Sequence, residues 1–316
     1  MKRLLITVLA LIISAPFAQG EGPIDETKLT LRESLLQMIN RDRRMFGLAP
    51  LQLDPAASEL ADHYCRQQIR NGTTGHFTTD GLAPYMRYSL AGGNDGVSEN
   101  AAAWSANYKF SAASLYDMMR RSEEAMIGED PPHDGHRRAI LDPFATHVGI
   151  GLAWERGEFR LTQEFIRRYL EWERALPRTA LPGERAIVKA RPHDGFEVEA
   201  VTVHHEPLPQ PISAITANLI NTYSLPDKRR EYLPRLKSRI ERAGTIVRDI
   251  HEEYRDGRRG DFDVAPDGTF AFAVPFTDGP GIYTVVVWVH RRGSHDSIAA
   301  SNVSVRVESL MTAGTR

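Results

Sequence analysis

Two histidines and a glutamate are the residues of this chain best suited to chemistry. They are His76 in Gly75-His76-Phe77, Glu99 in Val97-Ser98-Glu99-Asn100-Ala101, and His136 in Gly135-His136-Arg137-Arg138-Ala139-Ile140-Leu141. Neutral imidazoles with a carboxylate suit zinc or a similar divalent ion if the fold brings them within coordination distance. A glutamate beside such an ion can ligate it or act as general base on a bound water. The three are scattered in sequence, so spacing alone establishes no metal site. No His-Glu-x-x-His, paired-cysteine or calcium-loop signature occurs, and the one local cluster is His133-Asp134-Gly135-His136. A plainer reading stands beside the metal: loop polar groups that hydrogen-bond one another. Nucleophiles are scarce. There is no Gly-x-Ser-x-Gly elbow, and Ser98 has nothing beyond its position next to Glu99 to single it out. Cys65 shares a helical face with Ala57, Leu60, Ala61, Tyr64 and Ile69, which makes it a small core hydrophobe rather than a reactive thiol.

Positioning these residues requires a framework, and the pattern supplies one. Thr30-Leu31-Arg32-Glu33 has capping-box form, and Leu31, Leu35, Leu36 and Ile39 recur at helical spacing until Gly47 and Pro50 intervene. Asp54-Pro55 opens a second helix, as N-cap and first helical residue, and Asn71-Gly72 closes it. His76 lies in the loop just beyond, and residues 86–90 are expected to be helical before the flexible Gly92-Gly93-Asn94-Asp95-Gly96. Ser111 caps a third long helix with the face Leu115, Met118, Met119, Ser122 and Met126. Asp130-Pro131-Pro132 breaks it and leads into a short helix that delivers His136. Val148, Ile150, Leu152 and Trp154 then alternate, as do Phe159, Leu161, Gln163 and Phe165, with Arg156-Gly157 between them as a hairpin turn. The first domain is therefore α+β, helices followed by an antiparallel sheet, in an α–β–α layering.

With 316 residues, 41% hydrophobic and 25% charged, the chain has material for two packed domains. A formal net charge of −2 gives no reason to expect nucleic acid or an anionic membrane as partner. Lys2 and Arg3 precede an apolar run over residues 4–13, and Ala18-Gln19-Gly20 offers small residues to a signal peptidase. That run is short for a bilayer span, so a cleaved leader over residues 1–20 and a secreted or periplasmic mature chain are expected, with no transmembrane segment after cleavage. The single cysteine excludes an intrachain disulfide.

Residues 171–185 contain Pro177, Pro182 and Gly183 among charged residues and read as a linker between a first domain at 28–170 and a second at 186–310. In the second, residues 197–203, 270–274, 283–289 and 303–307 alternate, with turn signals at Pro266-Asp267-Gly268 and Asp278-Gly279-Pro280-Gly281. Short strands at this spacing point to a β-sandwich of immunoglobulin-like type, without its cysteine pair. The mixed charges over residues 228–248 suggest a solvated helix or long connection.

The motifs together resemble the CAP superfamily, the cysteine-rich secretory, antigen 5 and pathogenesis-related 1 proteins, in its bacterial SCP-domain form. The resemblance spans about residues 31 to 168. It rests on Ile39-Asn40-Arg41-Asp42-Arg43-Arg44, Leu51-Gln52-Leu53-Asp54-Pro55-Ala56-Ala57, the stretches around His76, Glu99 and His136, Thr146-His147-Val148-Gly149-Ile150-Gly151, and Leu161-Thr162-Gln163-Glu164-Phe165. It implies an α–β–α sandwich with two His and two Glu in a central cavity able to hold a divalent ion. His76 and His136 match the two histidines and Glu99 the first glutamate. The second glutamate should come from the helix before His136, where Glu123 and Glu124 stand. Family activities are diverse, from lipid binding to protein interaction and disputed proteolysis, and fold alone selects none of them. Three functions are therefore carried forward. In order they are a binding module for an envelope component, lipid or protein; a structural polar cavity; and a metal-dependent hydrolase using His76, Glu99 and His136.

Overall fold

The computed structural model describes residues 26–236, 238–243 and 246–309, excepting the side chains of the strands at 238–243 and 246–251. The leader expected over residues 1–20 lies outside the described residues. Among those described, no helix is long and apolar enough to cross a membrane.

The N-terminal half opens with α1 (Glu26–Met45), a two-residue β1 (Gln52–Leu53) and α2 (Pro55–Asn71). The Asp54 side chain accepts the Ala57 N–H, Pro55 takes the first helical position, and Gly72 ends the helix in the left-handed conformation at φ 68°. Next come α3 (Pro84–Leu90), β2 (Gly96–Ser105), α4 (Ala112–Ile127) and α5 (Gly135–Ile140). The strands β3 (His147–Glu155) and β4 (Glu158–Arg167) complete a sheet in the order β1-β3-β4-β2. Pleat alternation divides the sheet's residues between two faces. Val148, Ile150 and Leu152 of β3 join Leu35 and Ile39 of α1 and Met119 of α4 in one core. Gly149 and Gly151 face the other way, against α2, where a Cβ on either would lie within 2.6 Å of Ala57 or Ala61. The Gly-x-Gly of this strand is thus a packing requirement. The three layers are the α–β–α arrangement expected, and Cys65 is buried among them beside Thr162 at 3.3 Å. Burial pushes its thiol up to about 12, which leaves it inert.

The C-terminal half is mostly β. It comprises β5 (Leu170–Arg174), β6 (Thr179–Ala180), β7 (Arg185–Pro192), β8 (Phe196–Glu206), α6 (Ala214–Leu219) and β9 (Arg229–Tyr232). A hairpin of β10 (Ser238–Ala243) and β11 (Ile246–His251) follows, then β12 (Phe270–Pro275), β13 (Gly281–Arg291), β14 (Ile298–Ala299) and β15 (Val303–Val307). One sheet runs β12-β7-β5 and another β6-β15-β13-β8-β9, with β14 on β13. Val188, Phe270 and Val274 of the first share a core with Val201, Val203, Val285 and Val287 of the second.

Two expectations fail here. Residues 171–185, read as a linker, are built into the sheets, β5 pairing with β7 and β6 with β15. The charges that disguised β5 form cross-strand ion pairs, Glu171 with Arg191 and Glu173 with Lys189, each at 2.5 Å. Among the described residues of 228–248 there is no helix, and instead of a long connection they contribute β9, β10 and the start of β11.

The two halves meet along β2, an edge strand. The Gly96 N–H donates to the Ala300 carbonyl at 2.9 Å. The Asn302 amide imitates a neighbouring strand, accepting the Val97 N–H at 3.3 Å and donating to the Val97 carbonyl at 3.0 Å. An edge that would otherwise offer unpaired groups is closed by the chain itself. Farther along, residues 207–228 leave the second half and run back over the first. The Ile212 N–H bonds to the Thr79 carbonyl, and Asn218 pairs with Gly72 and Thr74.

Candidate functional site

The cleft at the β2 edge is built from His76 outward. The loop after α2 is fixed by Tyr64 Oη and Gln68 Nε2, which both donate to the Gly75 carbonyl, at 2.8 and 2.7 Å. Arg87 of α3 donates Nη1 to the His76 carbonyl at 2.7 Å. The imidazole then meets β2, with Nδ1 2.9 Å from Glu99 Oε1. The second Glu99 oxygen accepts Arg87 Nη2 at 2.5 Å, and the Arg87 guanidinium lies 3.5 Å from the Tyr64 ring centre. The Glu99 carboxylate has no exposed surface. Burial alone would push its carboxyl up. Arg87, with hydrogen bonds from His76 and Glu164, outweighs burial and holds it below the ordinary range. Since the carboxylate can only accept, the His76 proton sits on Nδ1.

His136 repeats the device from another element. Its Nδ1 is 2.5 Å from Glu129 Oε1, while its backbone N–H donates to Glu129 Oε2 at 2.9 Å. Glu129 follows Gly128, the C-cap of α4, and satisfies the first N–H groups of α5, whose N-cap Asp134 makes no capping bond with its side chain and pairs with Arg138 instead. The His136 carbonyl accepts Asn100 Nδ2 at 3.1 Å. The two imidazole centres are 6.3 Å apart at 34°. Neither Nε2 has a hydrogen-bond partner among the described residues, so both are available to whatever enters a cleft of about 870 Å³.

All three residues singled out in the sequence, His76, Glu99 and His136, line this cleft. The fourth group is Glu129, which sequence reasoning missed. Its signal was faint: a carboxylate seven residues before His136, beyond a proline break, in reach of an uncapped helix start. Of the two glutamates considered instead, Glu124 pairs with Arg120 on the surface. Glu123 is 1% exposed, and its Oε2 accepts Gln163 Nε2 at 2.5 Å while Oε1 has no partner. Burial, partly opposed by the Gln163 bond, pushes the Glu123 carboxyl up to about 7. Its folded value lies above the unfolded 4.5, so its stabilisation is full below that value and is lost as pH rises through about 7. Glu123→Gln, which stays neutral, is expected to gain about 2–4 kcal/mol on the wild type between acid and mildly alkaline pH. Urea unfolding at both ends of that window checks it, and a gap that does not change with pH contradicts it.

A second missed residue comes from the other half of the chain. Tyr223, between α6 and β9, sets its ring edge-on to His76, centres 4.9 Å apart, and its Oη accepts the Glu99 N–H at 2.6 Å. The cleft is therefore composite, with Asn221 and Thr222 also in its wall. No local pattern around Tyr223 marks this role.

The donor set fits a divalent ion only in part. Metal-binding histidines commonly have their other ring nitrogen held by a carboxylate, as both rings do here. Both Glu99 oxygens are engaged, however, and among the described residues no three His, Cys, Asp or Glu side chains group as a metal-holding set.

Comparison with known proteins places the first half. Residues 36–165 match the family model CAP, the cysteine-rich secretory protein family. A search of curated proteins returns no match. Similar solved structures include an extracellular protein containing an SCP domain from Bacillus anthracis, 19% identical, covering 47% of this chain and 45% of that one at a TM-score of 0.34. An outer surface protein of Borrelia burgdorferi is 18% identical over 44% of this chain and 93% of its own, at 0.36. A cysteine-rich secretory protein of Staphylococcus aureus is 17% identical over 47% and 42%, at 0.30. The chain spans less than half the length of the Bacillus and Staphylococcus proteins. Over residues 36–165 this chain carries a CAP domain of the cysteine-rich secretory protein family.

Proposed function

We propose that the protein is an exported binding module that takes an envelope component, lipid or protein into the CAP cleft, between His76 and His136 and against Tyr223. One observation carries this reading: two imidazoles are each pinned through Nδ1 by a carboxylate, and both leave Nε2 unpartnered in an open cleft. Arrangements that only order a core tend to use up such atoms. A general-base role for Glu99 has less support, because both of its oxygens are taken by His76 and Arg87. We read the C-terminal sheets, with their shared core, as an immunoglobulin-like sandwich that holds the strap bearing Tyr223 in place. A second reading, zinc held by His76 and His136 with water completing the shell, is favoured by the carboxylate backing of both rings.

Native mass spectrometry of the full chain, purified from a host that exports it, tests these together. The wild type is expected to carry a bound mass that His136→Ala loses while keeping its thermal stability within a few degrees. A zinc-sized adduct lost in the same way favours the second reading. An unliganded wild type, or an adduct unchanged by His136→Ala, overturns both.

A further inference from the structure

Strand β2 leaves part of its outer edge open. It is the last strand of the β1-β3-β4-β2 sheet, and its register with β4 runs from Gly96 opposite Arg167 to Ser105 opposite Glu158 without a bulge. We propose that the edge at residues 101–105 takes an extended segment of another polypeptide as an added strand, beside the cleft.

An antiparallel ladder alternates, so every second residue of β2 turns its N–H and carbonyl away from β4. Val97 and Glu99 show which residues these are. Val97 exchanges both of its bonds with the Asn302 amide, and the Glu99 N–H is met by Tyr223 Oη. Ala101 and Ala103 continue the series. Among the described residues, nothing hydrogen-bonds to the outward N–H or carbonyl of either one, and both are partly exposed.

Open edges commonly carry a device against added strands, such as a bulge, a proline or a charged side chain. Ala101-Ala102-Ala103-Trp104-Ser105 has none of them. The chain closes this edge over Val97 and Glu99, with groups that imitate a neighbouring strand, and leaves the next stretch bare. The bare groups alternate donor and acceptor at strand spacing, which another extended backbone matches group for group. A lipid offers no such series. The alanines keep the flanks low, so main-chain bonds carry the recognition and few side chains stand in the way.

The open stretch also begins where the cleft opens. Glu99 and Asn100, the adjoining residues of β2, hold the His76 ring and the His136 carbonyl, and all four residues line the cleft. An added strand therefore directs one end toward two imidazole acceptors, which backbone N–H groups can meet. What that end does rests on the binding reading of the cleft, whereas the edge itself does not.

Panning a randomised peptide display library on the full chain, then titrating synthetic hits by fluorescence polarisation, tests the proposal. Hits should bind saturably and lose about tenfold or more in affinity with Ala103→Pro. The Ala103 N–H lies outside the β4 ladder, so this substitution removes a donor at the edge and no bond of the sheet. A second change leaves the protein untouched and serves if that variant folds poorly. N-methylation of a hit at alternate residues should abolish binding in one register and spare it in the other. Absence of enriched peptides, or binding indifferent to both changes, overturns the proposal. So does a dimer in native mass spectrometry that Ala103→Pro dissolves, because the edge then belongs to a second copy. His136→Ala separates the edge from the cleft. Hits that respond to Ala103→Pro and N-methylation but not to His136→Ala support the edge and count against the cleft reading. Hits that respond to His136→Ala alone support the cleft reading and overturn the edge.

Discussion

Replacing Arg87 with alanine is expected to lower the unfolding free energy by about 3–5 kcal/mol. The guanidinium is 11% exposed and makes three kinds of contact at once. It pairs with the Glu99 carboxylate, satisfies the His76 and Leu82 carbonyls, and covers the Tyr64 ring. Its loss leaves two carbonyls without this donor and a buried carboxylate without its cation, and an uncompensated buried charge is among the costliest single defects. Glu99→Gln should cost less. Glu164, which burial and then the Glu99 charge now push well above its ordinary range, can then ionise beside Arg87 and restore the pair. Denaturant unfolding of the two variants gives the ordering, and an Arg87→Ala loss below about 1 kcal/mol would place the pair among ordinary surface bridges.

The second large effect is expected at Arg43, whose side chain is fully buried on α1. Nε donates to the Ala49 carbonyl at 2.9 Å, and Nη1 to those of Ile140 and Asp142 at 2.7 and 2.9 Å. The Ile140 and Asp142 carbonyls lie where α5 ends and the chain turns toward β3, and that of Ala49 between α1 and β1, so one side chain stands in for backbone partners that both segments lack. Arg43→Ala opens a cavity and strands the three carbonyls, for a loss of about 3–5 kcal/mol. Arg43→Lys keeps the charge but not the fork, and should recover only part. Because α5 carries His136, hydrogen exchange at residues 135–140 should quicken in Arg43→Ala more than in α2. Uniform acceleration across both helices would mean that Arg43 stabilises the domain without holding the cleft.

Much of the cleft was legible in the chain because its residues sit in compact local contexts. Gly135-His136-Arg137-Arg138 opens α5, Gly75-His76 lies in the loop after α2, and Ser98-Glu99-Asn100 lies in the first half of β2. The second and third long helices followed from caps that the structure reproduces, at Asp54, Pro55 and Gly72 and at Ser111. By contrast, α1 begins at Glu26, and Thr30, read as part of its capping box, lies inside it and bonds back to the Glu26 carbonyl. What stayed hidden was long-range. Glu129 lies past the end of a regular helix, where periodicity no longer predicts direction. Tyr223 reaches Glu99 across 124 residues of chain, from a segment without repeating pattern. The misread linker at 171–185 has a different cause. Strand β5 carries charges that find partners on β7, so the composition looks solvated although the backbone is paired.

The central claim is that the cleft presents two imidazoles with Nδ1–H held by carboxylates and Nε2 open to a ligand. Long-range ¹H–¹⁵N correlation spectra of the neutral rings measure this directly. His76 and His136 are predicted to show the Nδ1-protonated tautomer, with Nε2 resonances of an unprotonated nitrogen, and Glu129→Ala should release His136 while leaving His76 fixed. Nε2-protonated rings in the wild type, or free tautomer exchange at both histidines, would contradict it.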